Sequence, residues 1–220
     1  MCILLANPNT TVAVTERMGV TARAVAAAGT EIKLATAAFG ARIITTRTDA
    51  AIAEHACVDL VGREAAGCDG VIIGASLDSG LRAVREGFAG PVVGLTEAAL
   101  HVACLVGRRV GLVVTSAHAA GITEELVASY GLSSRLAGIA PLGTEAAAIL
   151  AQPAVAVDAI VDAGRLLVAR DRVDVVVLIG AVMAGLPEAV QPRIPVPVVE
   201  GVSAAVVLVE SLIRLRRTNG

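Results

Sequence analysis

The stretch DGVIIGASLDSGL, Asp69–Leu81, has a partner later in the chain: DVVVLIGAVMAGL, Asp174–Leu186. Each opens on aspartate, runs through aliphatic residues to a Gly-Ala pair and closes on Gly-Leu. Such a short aliphatic run bounded by turn residues reads as a strand buried on both faces. A second pair follows in the same order, PVVGLTEAA at Pro91–Ala99 and PVVEGVSAA at Pro197–Ala205. Two matches in one order, at nearly the same offset, indicate an internal duplication rather than shared strand composition.

Working outward, short apolar runs alternate with longer helical patterns. Ile3–Ala6, Glu31–Ala35, Gly70–Gly74 and Pro91–Gly94 read as strands of one half, and Val110–Thr115, Leu136–Ala140, Val173–Ile179 and Val196–Val199 as strands of the other. Thr11–Ala28, Asp49–Ala66 and Glu97–Leu105 read as helices. This alternation calls for parallel sheets. The expected fold is α/β: two similar lobes with parallel sheets, related by a pseudo-twofold, with a cleft between them. The first lobe takes residues 1–95 with 206–220, and the second takes 96–205. Ligands of parallel sheets bind beyond the carboxyl ends of the strands. If the sheets face each other, Gly74–Ser76 and Ile179–Val182 form opposite walls of one cleft.

Composition narrows the classes. Hydrophobic residues make up 55% of the 220 and aromatics 1%, so small aliphatic side chains fill the core and disorder is excluded. The mean hydropathy of +0.76 does not imply a membrane span. Uncharged runs such as Val175–Pro187 are shorter than the roughly 18–20 residues a spanning helix needs and carry Gly180 and Gly185. The opening MCILLANPNTT lacks the basic region of a signal peptide, so a cytoplasmic protein is expected. The net charge is -2, Lys33 is the only lysine and no basic stripe appears, which argues against nucleic acid. Cys2, Cys57, Cys68 and Cys104 form no CxxC and have no histidine cluster beside them, so no metal site is expected and all four read as reduced packing residues.

NPNTT at Asn7–Thr11, PVVGLTEAALHVACLVGRRVGLVVTS at Pro91–Ser116, MAGL at Met183–Leu186 and PVVEGVSAA together resemble the hydantoin and allantoin racemase branch of the aspartate/glutamate racemase superfamily. The resemblance spans essentially the whole chain. It implies two α/β lobes, no cofactor, a homo-oligomer, and a small carboxylate or cyclic amide as the ligand. It also implies inversion of a carbon next to a carbonyl by two cysteines, one on each wall, because a thiol can both accept and deliver the proton.

The two thiols are missing. The family's first wall resembles DAVVIACFGDPGL, and the residue at the cysteine position here is Ala75. The second wall resembles VLGCAGMAGL. Alignment on MAGL puts Gly180 at the cysteine, and alignment on the preceding glycine puts Ala181 there. Ser76 and His118 remain as cleft groups with some chemistry, though an unpartnered serine is a weak base and a lone loop histidine is usually solvated. Ligand-holding positions are Asn7, Asn9 and Thr10 at a helix N-terminus, Thr115 and Ser116 by the repeat, Asp78 and Val182. Ordinary capping competes with binding at Asn9, Thr10, Ser116 and Asp78.

Overall fold

The computed structural model describes residues 1–218. The first half runs β1 (Cys2–Asn7), α1 (Val12–Val25), β2 (Glu31–Thr36), α2 (Arg47–Glu64), β3 (Gly70–Ile73), α3 (Leu81–Gly87) and β4 (Val92–Gly94). It continues through α4 (Leu95–Val106), β5 (Val110–Val114), α5 (Ala117–Ser129), β6 (Leu136–Pro141), α6 (Ala146–Ala151), α7 (Pro153–Asp171), β7 (Val175–Ile179), α8 (Pro187–Val190), β8 (Val198–Glu200) and α9 (Gly201–Thr218). Two four-stranded sheets result, ordered β2-β1-β3-β4 and β6-β5-β7-β8, and every pairing is parallel. The second sheet thus repeats the first, and the α/β fold with two similar parallel sheets is as the sequence reads.

Helix boundaries moved for local reasons. α2 starts two residues before the expected Asp49 because Thr46 and Asp49 form a reciprocal capping box. α1 stops at Val25 because Ala26 is extended and Gly29 turns through a φ of 82°.

The first sheet is buried on both faces. Ile3, Leu5 and Ile72 point into one cluster, whereas Leu4, Ala6, Val71 and Ile73 point into another with Cys57, Leu60 and Val61 of α2. The first of these clusters is continuous with the core of the second sheet. α4 and α9 make that continuity: they pack on each other, α4 lies on β7 and β8, and α9 returns to cover β3 and β4. Alanines permit the close approach, with Ala98, Ala99, Ala103, Ala204 and Ala205 all buried. At the crossing, a Cβ added to Gly201 would stand 2.8 Å from Leu95 Cβ and 2.9 Å from its carbonyl oxygen, so this position needs glycine.

Strands β4 and β8 run directly into α4 and α9 with no loop between. The first N–H groups of each helix must therefore be satisfied by a side chain. At α9 the last strand residue does this: Glu200 accepts from Val202 N–H at 2.7 Å and Ser203 N–H at 2.6 Å. At α4 the equivalent residue is Gly94, and Asp78 arrives from the β3 loop instead, accepting from Thr96 N–H at 3.1 Å and Glu97 N–H at 2.8 Å. A Cβ on Gly94 would overlap the Asp78 carboxylate. Gly94→Ala should therefore cost about 1–3 kcal/mol of stability by overpacking a filled site, whereas Gly87→Ala, where an added Cβ meets nothing, should cost far less. Urea unfolding of the two variants measures the difference.

Candidate functional site

A cavity of about 260 Å³ lies beyond the carboxyl ends of the strands. One wall comes from the first lobe: Asn9 and Val14 after β1, Ile43, Ile44 and Thr45 after β2, and Gly74 to Leu77 after β3. The other comes from Thr115 to Thr123 around the start of α5, Glu145 and Ala146 after β6, and Ile179 to Val182 after β7. Gly74–Ser76 and Ile179–Val182 do line a single cavity. Arg17 of α1 ties the lobes on one side, donating to Val182 O at 3.2 Å. On the other side Arg47 of α2 pairs with Glu125 of α5.

Among the predicted positions, Asn9, Ala75, Ser76, Thr115, Ser116, His118, Gly180, Ala181 and Val182 line this cavity, and Asn7, Thr10 and Asp78 do not. Asn7 is fully buried: its Nδ2 donates to Asn9 Oδ1 at 3.0 Å and Thr15 Oγ1 at 2.9 Å, and its Oδ1 accepts from Asn9 N–H at 3.1 Å. It shapes the turn and has nothing left for a ligand. Thr10 is likewise engaged, its N–H and hydroxyl both donating to Ala41 O. Thr11 N–H is capped by Asn9 Oδ1 at 2.9 Å. The backbone donors expected to be free at Asn9–Thr11 are thus spent, which corrects that expectation. Capping within the turn outcompetes an external acceptor because it is permanent and local.

Free backbone donors lie elsewhere. The N–H groups of Ala75, Ser76 and Leu77 on one wall, and of Ala181 and Val182 on the other, meet no acceptor among the described residues. Successive N–H groups in a tight turn form a concavity suited to an oxygen acceptor or an anion. Ser116 caps α5 by accepting from Ala119 N–H at 3.2 Å. One turn further on, Thr123 is almost fully buried against the cavity, and its hydroxyl has no partner. Sequence reading missed Thr123, which looks like any helix-interior threonine. Nor did it single out Glu145, in an ordinary helix start, or Ile43 and Ile44. Those two cover the cavity because Thr10 and Thr11 hold Ala41 and Arg42 by hydrogen bonds between residues 31 apart.

Among the described residues no cysteine lines the cavity. Cys57 is buried against Gly80, and burial pushes its thiol up to about 12. The two possible second-wall positions can be compared in space. Asp69 and Asp174 precede β3 and β7 in the same way: Asp69 accepts the N–H of Cys2 at the start of β1, and Asp174 those of Arg108 and Arg109 just before β5. Counting from them, Gly180 matches Ala75. Counting from the Gly-Ala pair, Ala181 does, because β7 has five residues and β3 four. Gly180 has φ 157° and ψ 124°, backbone that favours glycine over cysteine. The titratable side chains of the lining are His118 and Glu145, both exposed and both on the second lobe.

These features define a class: a two-lobed α/β protein whose ligand cleft lies between duplicated parallel sheets. Residues 3–209 match the family model for Asp/Glu/Hydantoin racemase, and the chain belongs to that family. It is 31% identical to a hydantoin racemase of Paenarthrobacter aurescens over 217 residues, 98% of this chain and 92% of the relative. Among solved structures, allantoin racemase from Pseudomonas fluorescens is 36% identical with a TM-score of 0.95, covering 98% of this chain and 92% of that one. Allantoin racemase from Klebsiella pneumoniae is 34% identical with a TM-score of 0.94, covering 98% and 89%.

Asp78 is a buried structural group with a measurable signature. Burial raises its carboxyl to about 7, against the Tyr130 hydroxyl at 2.7 Å and the two helix N–H donors, which favour the carboxylate. The unfolded chain releases this proton near an ordinary pKa of about 3.9, so between that pH and about 7 the native state binds more protons. Stability therefore falls as pH rises through this window, by at most roughly 1.4 kcal/mol per pH unit from this group, and levels off above it. Asp78→Asn should remove that slope. The buried Glu200, also raised by burial, contributes a decline of the same sign that the variant keeps. Urea midpoints across the window, compared between the two proteins, test this.

Proposed function

We propose that the cleft takes a small molecule bearing a carboxylate or a cyclic amide, as the names of the hydantoin and allantoin racemase relatives suggest, and acts on it without a two-cysteine acid/base pair. The observation that carries this reading is the make-up of the first wall. From Asn9 to Leu77 it presents amides, hydroxyls and aliphatic groups, but no titratable side chain. Inversion by two bases needs a proton acceptor on one face of the carbon and a donor on the other. Here the acid/base groups, His118 and Glu145, stand on the same side. That arrangement supports proton removal and return on one face, or related carbanion chemistry, with an enolate oxygen held by the N–H groups at Ala75–Leu77 or Ala181–Val182.

A second reading is a binding or regulatory protein that keeps the cleft and has no chemistry. It is favoured by the exposure of both His118 and Glu145, since a catalytic base is usually tuned by burial or a partner. The two readings separate in one experiment. Enantiopure hydantoins, allantoin and aspartate are incubated with the protein in deuterium oxide and followed by NMR and polarimetry. The one-sided reading expects exchange with retained optical activity, lost in His118→Asn or Glu145→Gln. The binding reading expects calorimetric binding without exchange. Racemisation that stops on thiol alkylation would overturn both.

Thr123 gives a second check. Its unpartnered hydroxyl is enclosed behind the cavity surface and costs the free protein stability; a ligand whose binding opens a path to it would supply the missing partner. Thr123→Val should leave the free protein equally or more stable by about 1 kcal/mol and weaken ligand binding by roughly 3–10-fold, the worth of one hydrogen bond. Thermal unfolding and calorimetry of the same preparation report the two opposite effects.

A further inference from the structure

At the end of the first sheet remote from the cleft, two thiols meet. Cys2 opens β1, Cys68 stands two residues before β3, and their Sγ atoms are 3.4 Å apart. Both are half-buried and free. The pair is held in place by the backbone. Asp69 N–H donates to Cys2 O at 2.7 Å, and Asp69 Oδ2 accepts from Cys2 N–H at 2.7 Å. Arg217 of α9 clamps the other carboxylate oxygen at 2.7 Å. Lys33 on the adjacent β2 lends both thiols a positive field, and Glu64 at 3.0 Å holds its ammonium. Neither thiol lines the cleft.

We propose that Cys2 and Cys68 are a reversible dithiol/disulfide site, oxidised by low-molecular-weight disulfides. The Cys2 thiolate attacks a small disulfide RSSR, forming a mixed disulfide and releasing RS⁻, which takes up a proton. The Cys68 thiolate then attacks the Cys2 sulfur, forming the intrachain bond and expelling the second RS⁻. The protein loses two electrons and two protons, and RSSR becomes two RSH. The closing step needs the Cys68 thiolate, which burial disfavours, so it is slow at neutral pH. It should accelerate about tenfold per pH unit while the Cys68 thiol is mainly protonated, in step with the thiolate fraction. The bond would link residues 66 apart, removing chain entropy from the unfolded state and stabilising the native one.

The reduced full-length protein is treated with hydroxyethyl disulfide in mildly alkaline solution and examined by intact mass and peptide mapping. The expected product has lost two hydrogens, carries no adduct at either residue and shows a single Cys2–Cys68 cross-link. Its Tm should rise by several degrees and return on reduction with dithiothreitol. Cys2→Ser and Cys68→Ser should each stop at one mixed disulfide with no rise in Tm, while Cys104→Ser should behave as the parent. Stable adducts on both residues of the parent without a cross-link would overturn the proposal. So would a link through Cys57 or Cys104, or a link between two molecules.

Discussion

Two buried carboxylates decide how the halves of this molecule meet. Asp78 and Glu200 cap helices that start with no loop after their strands, so the direction of α4 and α9 is set where the chain leaves each sheet. Because α4 crosses to the second sheet and α9 returns to the first, these caps also fix the lobe-to-lobe packing. Asp78 does more than its counterpart. It takes the Tyr130 hydroxyl from the end of α5, and it sits in the turn that carries Ala75 and Ser76. Its own backbone has a φ of 49°, the left-handed region, which costs energy that three hydrogen bonds offset.

The wall that these contacts position is chemically one-sided. Backbone N–H groups without an acceptor among the described residues lie on both walls of the cleft. The acid/base groups are not duplicated. In this chain of the Asp/Glu/hydantoin racemase family, backbone N–H groups line both walls of the cavity, whereas the titratable side chains of the lining stand on one. The two sets are separable because different atoms supply them. Backbone geometry makes the donors, and it survives any side-chain change that preserves the turn.

Much of the fold was legible in the chain. The period of the apolar runs, the duplicated DGVIIGASLDSGL motif and the strand-to-helix junctions at Pro91–Ala99 and Pro197–Ala205 depend on local pattern, and local pattern survives into structure. The cavity lining was legible where it follows a strand end, as at Ala75, Thr115 and Gly180, because parallel sheets deliver those positions to one edge. It was misread at Asn7 and Thr10, since which of several competing acceptors takes an N–H group depends on loop residues 30 positions away or more.

By itself the sequence determined the element types, the parallel sheets and their duplication. Each follows from side-chain periodicity or from a residue's place relative to a strand end. Only the tertiary structure decided which donors stay free, that Thr123 and Glu145 join the site, and that Cys2 and Cys68 touch. Those facts rest on contacts between segments far apart in the chain. Their geometry is set by how α4, α9 and the strands pack, and no local pattern records it.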